Sequence, residues 1–126
     1  MEKQLKVLLV EPNKLPTTLV IDNNLKSKQK LVEGDIEYAY ADQFPDIVFI
    51  CNEEGKINGM PYNRDIGADI IAGPFLIVGD DYEKGEDKSL TDSQIKKYQS
   101  IFNKKSIEDT NIRLTQIMLK NNGFNL

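Results

Sequence analysis

Residues 5–10 read Leu-Lys-Val-Leu-Leu-Val, a short and nearly continuous run of aliphatic side chains. A run of this kind, followed by polar and proline residues, predicts a strand that is largely buried. The pattern recurs as Ile-Val-Phe-Ile-Cys at residues 47–51, and residues 69–78 form the longest β-prone run of the chain. These three runs supply most of the predicted core.

Two further patterns predict strands around these runs. Residues 17–21 are β-prone and follow the first run after a proline-rich break, so the two strands are expected to form a hairpin or to be near neighbours. Residues 35–40 alternate between apolar and polar positions, which fits a half-buried strand. Within residues 69–78, Gly73 and Pro74 predict a bulge or an edge position, because proline cannot donate a hydrogen bond to a ladder.

The first predicted helix lies between residues 22 and 34. Asp22 or Asn23 is expected to cap its start, and Gly34 is expected to supply the left-handed residue that ends it. Leu25 and Val32 are spaced to lie on its inner face.

Capping signals predict the starts of two later helices. Thr91, with Gln94 three residues on, matches a capping box. Ser106, with Asp109 three residues on, repeats the signal and is expected to open a last helix, which is amphipathic and lies within residues 104–126.

The order of these elements indicates the α+β class. The expected fold is a single mixed sheet of about five strands with helices on one face, and residues 80–87 are expected to be an acidic solvated loop. The first elements also match the order of a β-grasp domain, which is one topology open to the chain. We divide the chain into an α+β core at residues 1–103 and a C-terminal helical extension at residues 104–126.

The 126 residues contain no histidine, no tryptophan and a single cysteine, Cys51. Without histidine the chain cannot form a Ser-His-Asp or Cys-His triad or a His-ligated metal site. A single cysteine excludes a Cys-based zinc site and an intramolecular disulfide. We therefore predict no catalytic residue, no metal and no cofactor.

The charges are unevenly distributed. Sixteen lysines and arginines oppose 20 aspartates and glutamates, so the net charge is −4 and direct nucleic-acid binding is not expected. Residues 33–54 contain seven acids and no base. Two interpretations stay open, since this segment is either a solvated face or an acidic surface that meets a basic partner.

The N-terminal residues lack the pattern of a secretory signal peptide. No window approaches the roughly 18 apolar residues that a membrane span needs. Since a single cysteine also fits a reducing compartment, we expect a cytoplasmic protein with no membrane partner.

Several short motifs together carry a family resemblance. They lie at residues 50–56, 58–61, 63–64 and 69–75, with support from residues 7–12 and 89–92. Over residues 5–102 the chain resembles the family of domain of unknown function 3846. The resemblance implies an accessory gene of a bacterial phage, plasmid or conjugative element, and hence the cytoplasm of a bacterial host cell. It implies no established activity.

An irregular segment rich in asparagine and glycine contains the candidate ligand site. Arg64 is one of two arginines in a lysine-rich chain, and its planar guanidinium suits bidentate contact with phosphate or carboxylate. The predicted ligand is a small, anionic, nucleotide-like molecule, and the predicted binding residues are Asn52, Asn58, Asn63 and Arg64. In the alternative interpretation Arg64 holds the loop by pairing with a carboxylate, that of Asp65, Asp69 or Glu54.

The last helix also predicts self-association. Leu114, Ile117 and Met118 form an apolar stripe outside the family core, which is expected to be the interface of a homo-oligomer. Two alternative interpretations stay open, in which this helix covers the sheet of its own chain or captures a partner.

Three classes of function are open to such a chain. The leading hypothesis is a non-catalytic binding protein of a phage or mobile genetic element that acts in counter-defence, by sequestering a nucleotide immune signal or by blocking a host defence protein. The second is an acidic structural or regulatory protein that binds a basic host partner, with nucleic-acid mimicry as its extreme form. The third and most remote is an enzyme that works without histidine.

Overall fold

The computed structural model describes residues 2–123, and these fold into eight strands and three helices, which confirms the α+β class. The strands are β1 (Gln4–Val10), β2 (Thr17–Asp22), β3 (Ile36–Ala39), β4 (Ile47–Asn52), β5 (Tyr62–Asp65), β6 (Ile70–Ala72), β7 (Phe75–Asp81) and β8 (Glu86–Lys88). The helices are α1 (Leu25–Val32), α2 (Asp92–Ile101) and α3 (Lys104–Asn121). Residues 124–126 of the predicted extension lie outside the described residues.

The main sheet has the strand order β2-β1-β7-β4-β3, and β8 pairs with the far end of β7. Every ladder in it is antiparallel, including the predicted hairpin of β1 and β2. The expected number of about five strands in the sheet is therefore confirmed. The expectation of a mixed sheet with a β-grasp order is wrong, because that order needs parallel central strands and β7 runs antiparallel to both β1 and β4.

The two faces of the sheet are both covered. One face packs against α1, and the other packs against α2 and a two-stranded ribbon of β5 and β6. The expectation of helices on one face is wrong, because central strands that are apolar on both sides need a covering layer on each side. The side chains that point toward α1 are those of Leu5, Val7, Val48, Ile50, Leu76 and Val78. The side chains that point toward α2 and the ribbon are those of Leu8, Val10, Phe49, Phe75 and Ile77.

The long β-prone run at residues 69–78 is divided between the two sheets. β6 belongs to the ribbon and β7 to the centre of the main sheet. Gly73, with φ of +83°, lies at the corner between them. Pro74 lies in no ladder, as its missing N–H requires, but the reason is this corner rather than a bulge or an edge position.

The N-terminal caps of α1 and α2 follow the predicted chemistry. Asn24 caps α1, one residue after the predicted Asn23 and two after Asp22. At α2 the capping box of Thr91 and Gln94 is confirmed, since each side chain bonds the backbone N–H of the other residue.

The C-terminal end of α1 differs from the prediction. Glu33, with φ of +64°, takes the left-handed position that was predicted for Gly34. Gly34 is needed for another reason, because a Cβ there would lie 2.7 Å from Nδ2 of Asn52. Val32 is buried as expected, but Leu25 is 54% exposed and does not face the core.

α3 begins one residue after its cap, Asn103, so the cap predicted at Ser106 is wrong. Ser106 lies in the first turn, where its N–H donates to the Asn103 side chain at 3.2 Å. The first half of α3 is bonded to β5. Arg64 Nε donates to Ser106 Oγ at 2.8 Å, and the Asp65 N–H donates to Thr110 Oγ1 at 3.0 Å. The start of the predicted extension therefore packs on the core and is hydrogen-bonded to it.

Residues 80–87 are not a loop throughout. Asp80 and Asp81 continue β7 and pair with Asp87 and Glu86 of β8. The loop prediction was wrong because these charged strand ends lack the alternation of apolar residues that marks a strand.

Candidate functional site

Arg64, the residue predicted to hold a ligand, has no exposed surface. Its guanidinium donates to Ser106 Oγ at 2.8 Å, to Asn63 Oδ1 at 2.9 Å, and to the carbonyl oxygens of Lys14 at 2.7 Å and Phe102 at 3.2 Å. These acceptors lie in α3, in β5, in the loop after β1 and at the end of α2. Arg64 therefore connects four segments of the fold.

The charge of Arg64 is balanced without a salt bridge in the described part of the chain. Asp65 and Asp69, two of the expected partners, face other cations instead. One acceptor, the Phe102 carbonyl, lies at the C-terminal end of α2, where the helix dipole places negative potential. Burial lowers the pKa of Arg64 to about 10, so the guanidinium stays charged at neutral pH. Arg64 therefore has no surface open to a ligand, and its contacts are those of a residue that holds the fold together.

The three asparagines predicted to line the site lie in different surroundings. Asn63 is buried beside Arg64, and it donates to backbone carbonyls of β1 and of the corner before β7. Asn52 is buried at the end of β4 and donates to the last carbonyls of α1. Asn58 is exposed in the turns before β5. Asn63 and Arg64 are buried and joined by a hydrogen bond, whereas Asn52 packs against the end of α1 and Asn58 is exposed, so the four residues do not surround one opening.

A cavity of about 260 Å³ opens between β3, β4 and the β5–β6 ribbon, and we call it the ribbon cavity. Apolar or small side chains that are buried or half-buried line its floor, namely Ala39, Cys51, Ile66, Ile71 and Ala72. Exposed charged side chains line its rim, namely Glu37, Glu53, Glu54, Lys56 and Asp69. Lys56 pairs with Asp69 at 2.5 Å, so the other three carboxylates leave the rim strongly negative.

A second cavity, of about 350 Å³, lies on the opposite face of the sheet, between α1, β3 and the β7–β8 hairpin. We call it the hairpin cavity, and its lining residues are Asn23, Lys28, Tyr38, Tyr40, Asp80, Gly85, Glu86 and Asp87.

Within the hairpin cavity, the nearly buried Lys28 ammonium pairs with Asp87 at 2.7 Å. The Tyr38 hydroxyl donates to the same carboxylate at 2.8 Å. Burial, and then this hydrogen bond, raise the pKa of Tyr38 above its ordinary range, so the hydroxyl remains a donor at neutral pH. Sequence reasoning missed this cluster, because no local pattern relates Lys28 to a carboxylate 59 residues away.

The edge strand β3 separates the two cavities. Glu37 and Ala39 line the ribbon cavity, whereas Tyr38, and Tyr40 just after the strand, line the hairpin cavity. The alternation that the sequence predicted for residues 35–40 is therefore confirmed, and it places a different set of side chains on each side of the edge.

Cys51 is the single cysteine of the chain and lies on the floor of the ribbon cavity. Burial, with the nearby charge of Glu37, raises the pKa of the Cys51 thiol to about 11. A thiol that is protonated at neutral pH is a weak nucleophile. Among residues 2–123, no group of three or more His, Cys, Asp or Glu side chains is placed to hold a metal ion.

The predicted oligomer residues lie on the second half of α3. Leu114 is half-buried, and together with Ile117 it lines a shallow depression against the β5–β6 ribbon. Ile117 is 39% exposed and Met118 is 62% exposed. Part of the apolar stripe thus packs on its own chain, and the homo-oligomer stays a prediction.

Together the fold and the site define a small α+β domain in which an edge strand lies between two cavities rich in carboxylates. The family described as domain of unknown function (DUF3846) matches residues 5–103, and the chain belongs to this family. No curated protein and no solved structure matches the chain. Over the described range, none of the helices combines the length and the apolar character needed to cross a membrane.

Proposed function

We propose that this chain is a non-catalytic binding protein whose acidic surface beside β3 holds a basic partner. The observation that carries the proposal is the ribbon cavity, where four carboxylates and one lysine surround an apolar floor. A lysine or arginine side chain suits this cavity, because its aliphatic stem covers apolar surface while its charged end reaches the carboxylates.

The size and the charge of the ribbon cavity both disfavour an anionic nucleotide. Its volume of about 260 Å³ is below the range of roughly 300–1,000 Å³ that is typical of small-molecule sites. The excess carboxylates would repel a phosphate, and Arg64, which was expected to neutralise one, is buried elsewhere. We therefore prefer the acidic interaction protein to nucleotide sequestration.

Two features of the chain support a role without catalysis. The sequence contains no histidine, the side chain that most often transfers protons near neutral pH. The raised pKa of Cys51 also leaves its thiol protonated, so the one cysteine in the ribbon cavity is not an activated nucleophile.

The family resemblance supplies the class of partner in this proposal. If the chain comes from a phage or another mobile element, its partner is a host defence protein with a basic surface. By occupying that surface, the chain would block whatever the host protein binds there, and nucleic acid is the usual ligand of basic surfaces.

The test is binding of the full chain to polylysine, measured by isothermal titration calorimetry at several salt concentrations. The double variant Glu53→Gln/Glu54→Gln should bind about fivefold more weakly or worse, because an exposed charge pair contributes up to about 1 kcal/mol. The affinity should also fall as salt screens the carboxylates.

A matched control removes the same charge from exposed positions outside both cavities. The double variant Glu83→Gln/Glu108→Gln should keep the affinity of the parent chain within about twofold. Equal weakening by the two double variants would mean diffuse attraction by net charge, and it would overturn the proposal. Lack of binding at low salt would overturn it as well.

A further inference from the structure

We infer that the basic partner binds as an extended segment that adds a strand to the free edge of β3, with alternate side chains entering the ribbon cavity and the hairpin cavity. This inference rests on the proposed function and deepens it, because it specifies the conformation of the partner and the backbone groups that hold it. Addition of a strand to an exposed sheet edge is a general mode of peptide recognition.

The backbone of β3 has unpaired groups that face away from the sheet. In the described residues β3 pairs with β4 alone, in a register that places Glu37 opposite Cys51. The N–H of Glu53 donates to the carbonyl of Asp35 at 2.8 Å, so residues 35, 37 and 39 direct their backbone groups to β4. The N–H and C=O groups of Ile36 and Tyr38 therefore point outward.

The two cavities match the geometry of an added strand. Successive side chains of a strand point to opposite faces of its sheet. A segment paired with β3 would place one side chain beside Glu37, on the side of the ribbon cavity, and the next beside Tyr38, on the side of the hairpin cavity. Consecutive side chains of the partner would thus meet the two cavities in turn.

The lining of both cavities selects basic side chains. The ribbon cavity combines an acidic rim with an apolar floor. The hairpin cavity contains three carboxylates, one lysine and the rings of Tyr38 and Tyr40. Tyrosine rings attract a lysine or arginine through the negative face of the ring. A segment with lysine or arginine at neighbouring positions therefore satisfies both sides of the edge.

Charge also excludes a second copy of this chain as the added strand. Pairing of β3 with β3 of another copy would bring together two segments from residues 33–54, which have seven acids and no base each. Like charges across a strand pair are destabilising. Charged edge strands generally prevent sheets from pairing edge to edge. The acidic edge of β3 should therefore oppose pairing with a second copy and favour pairing with a basic strand.

The experiment uses the full chain with octalysine as the probe, and compares it with octalysine that is N-methylated at every backbone nitrogen. The methylated peptide has the same charge, but it cannot donate backbone hydrogen bonds, and its N-methyl groups sterically prevent it from pairing with the edge of β3. Octalysine should slow hydrogen exchange at the Ile36 and Tyr38 amides by about tenfold or more, because these become ladder donors. The amides of Glu37 and Ala39, which already face β4, should change little. The methylated peptide should bind about tenfold more weakly and protect neither amide.

Two variants test the contribution of the side chains. Glu37→Gln should weaken octalysine binding by about fivefold, whereas Glu108→Gln on α3 should leave it within about twofold. Equal binding of the two peptides without protection of Ile36 and Tyr38 would overturn strand addition and leave the proposed function intact. Failure of both peptides to bind at low salt would overturn both.

Discussion

Arg64 is a charged side chain with no exposed surface, and in the described residues its partners are neutral oxygens. Moving a charge out of water is unfavourable unless its lost hydrogen bonds are replaced. Lys14, Phe102 and Ser106 supply replacements from three segments that are far apart in the chain. The guanidinium thereby specifies how the loop after β1, the end of α2 and the start of α3 meet.

Arg64→Ala should lower the free energy of unfolding by about 3 kcal/mol or more, because several buried oxygens lose their donor and a cavity remains. Arg64→Lys should recover only part of this loss, since one ammonium cannot reach acceptors arranged around a planar group. Urea unfolding followed by far-ultraviolet circular dichroism measures both changes.

The other arginine of the chain is the control. Arg113 is exposed and lies 4.0 Å from Asp65, so Arg113→Ala should change the free energy of unfolding by less than about 1 kcal/mol. A loss at Arg64 no larger than that at Arg113 would contradict the structural role that its contacts indicate.

Asp46 is expected to make the free energy of unfolding depend on pH in the acid range. Partial burial alone would raise the pKa of Asp46, but hydrogen bonds from Tyr98 and Gln94 lower it below its ordinary value of 3.8. A carboxyl whose pKa is lowered by folding stabilises the fold above about pH 4, and this contribution is lost as the pH falls through the folded-state value. Tyr98→Phe removes one donor, so the loss of stability between pH 5 and pH 2, measured by urea unfolding, should become smaller.

Tyr98→Phe should also lower the free energy of unfolding at pH 7 by about 1.5–3 kcal/mol, because the variant lacks the hydrogen bond that the parent chain makes to the ionised Asp46 carboxylate. Tyr82→Phe, at an exposed tyrosine, is the control and should change neither quantity. If Tyr98→Phe loses as much stability between pH 5 and pH 2 as the parent chain, carboxyl groups other than Asp46 cause that loss.

At the scale of secondary-structure elements, two neighbouring residues at the end of α1 meet two requirements that a single glycine often meets. One requirement is a left-handed backbone conformation, and the other is space for a close contact. The left-handed residue is Glu33, whose φ is +64°. Gly34 follows it without a positive φ, and its missing side chain lets the Asn52 amide approach the backbone. That amide donates to the carbonyls of Val32 and Glu33, so β4 supplies the C-terminal cap of α1.

Adjacent substitutions at this helix end should therefore have opposite signs. Glu33→Gly should raise the free energy of unfolding by about 0.5–1 kcal/mol, because glycine adopts a left-handed conformation without steric cost. Gly34→Ala should lower it by about 1–3 kcal/mol, since the new Cβ would collide with Asn52. Thermal and urea unfolding of both variants measure the pair. Stabilisation by Gly34→Ala would mean that Asn52 can move aside without loss of its hydrogen bonds.

At the scale of the whole molecule, the covering layers leave the edge of β3 exposed, and they also leave Ile112 and Met118 exposed on the second half of α3. The first half of α3 is different, because Ser106 and Thr110 are bonded to β5. Removal of all of α3 would therefore disturb the core as well as any interface, and point substitutions are the better test of self-association.

Met118→Lys should lower the mass measured by light scattering at about 100 μM, if the exposed apolar side of α3 is the contact of a homo-oligomer. A buried lysine without a partner strongly opposes association. Ser100→Lys adds the same charge to an exposed position of α2 and should leave the mass unchanged. A parent chain that is already a monomer at this concentration would end the oligomer hypothesis.

Local sequence determined the elements that depend on local chemistry. The continuous runs at residues 5–10 and 47–51 are strands, because aliphatic side chains on successive positions can be buried on both faces of a sheet. Thr91 and Gln94 form the predicted capping box, since both partners lie within one helical turn. The acidic stretch at residues 33–54 was also visible, and three of its seven acids, Glu37, Glu53 and Glu54, line the rim of the ribbon cavity because they lie on the edge strand β3 and in the turn after β4.

Only the tertiary structure decided which residues of the candidate site are open and which are structural. Arg64 and Ser106 are 42 residues apart, and Lys28 and Asp87 are 59 residues apart. No periodicity relates positions at such distances, so the sequence could not distinguish an arginine that binds a ligand from one that holds the fold together. The position of β3 at the sheet edge has the same origin, because the strand order follows from which apolar faces pack together once the whole chain is folded.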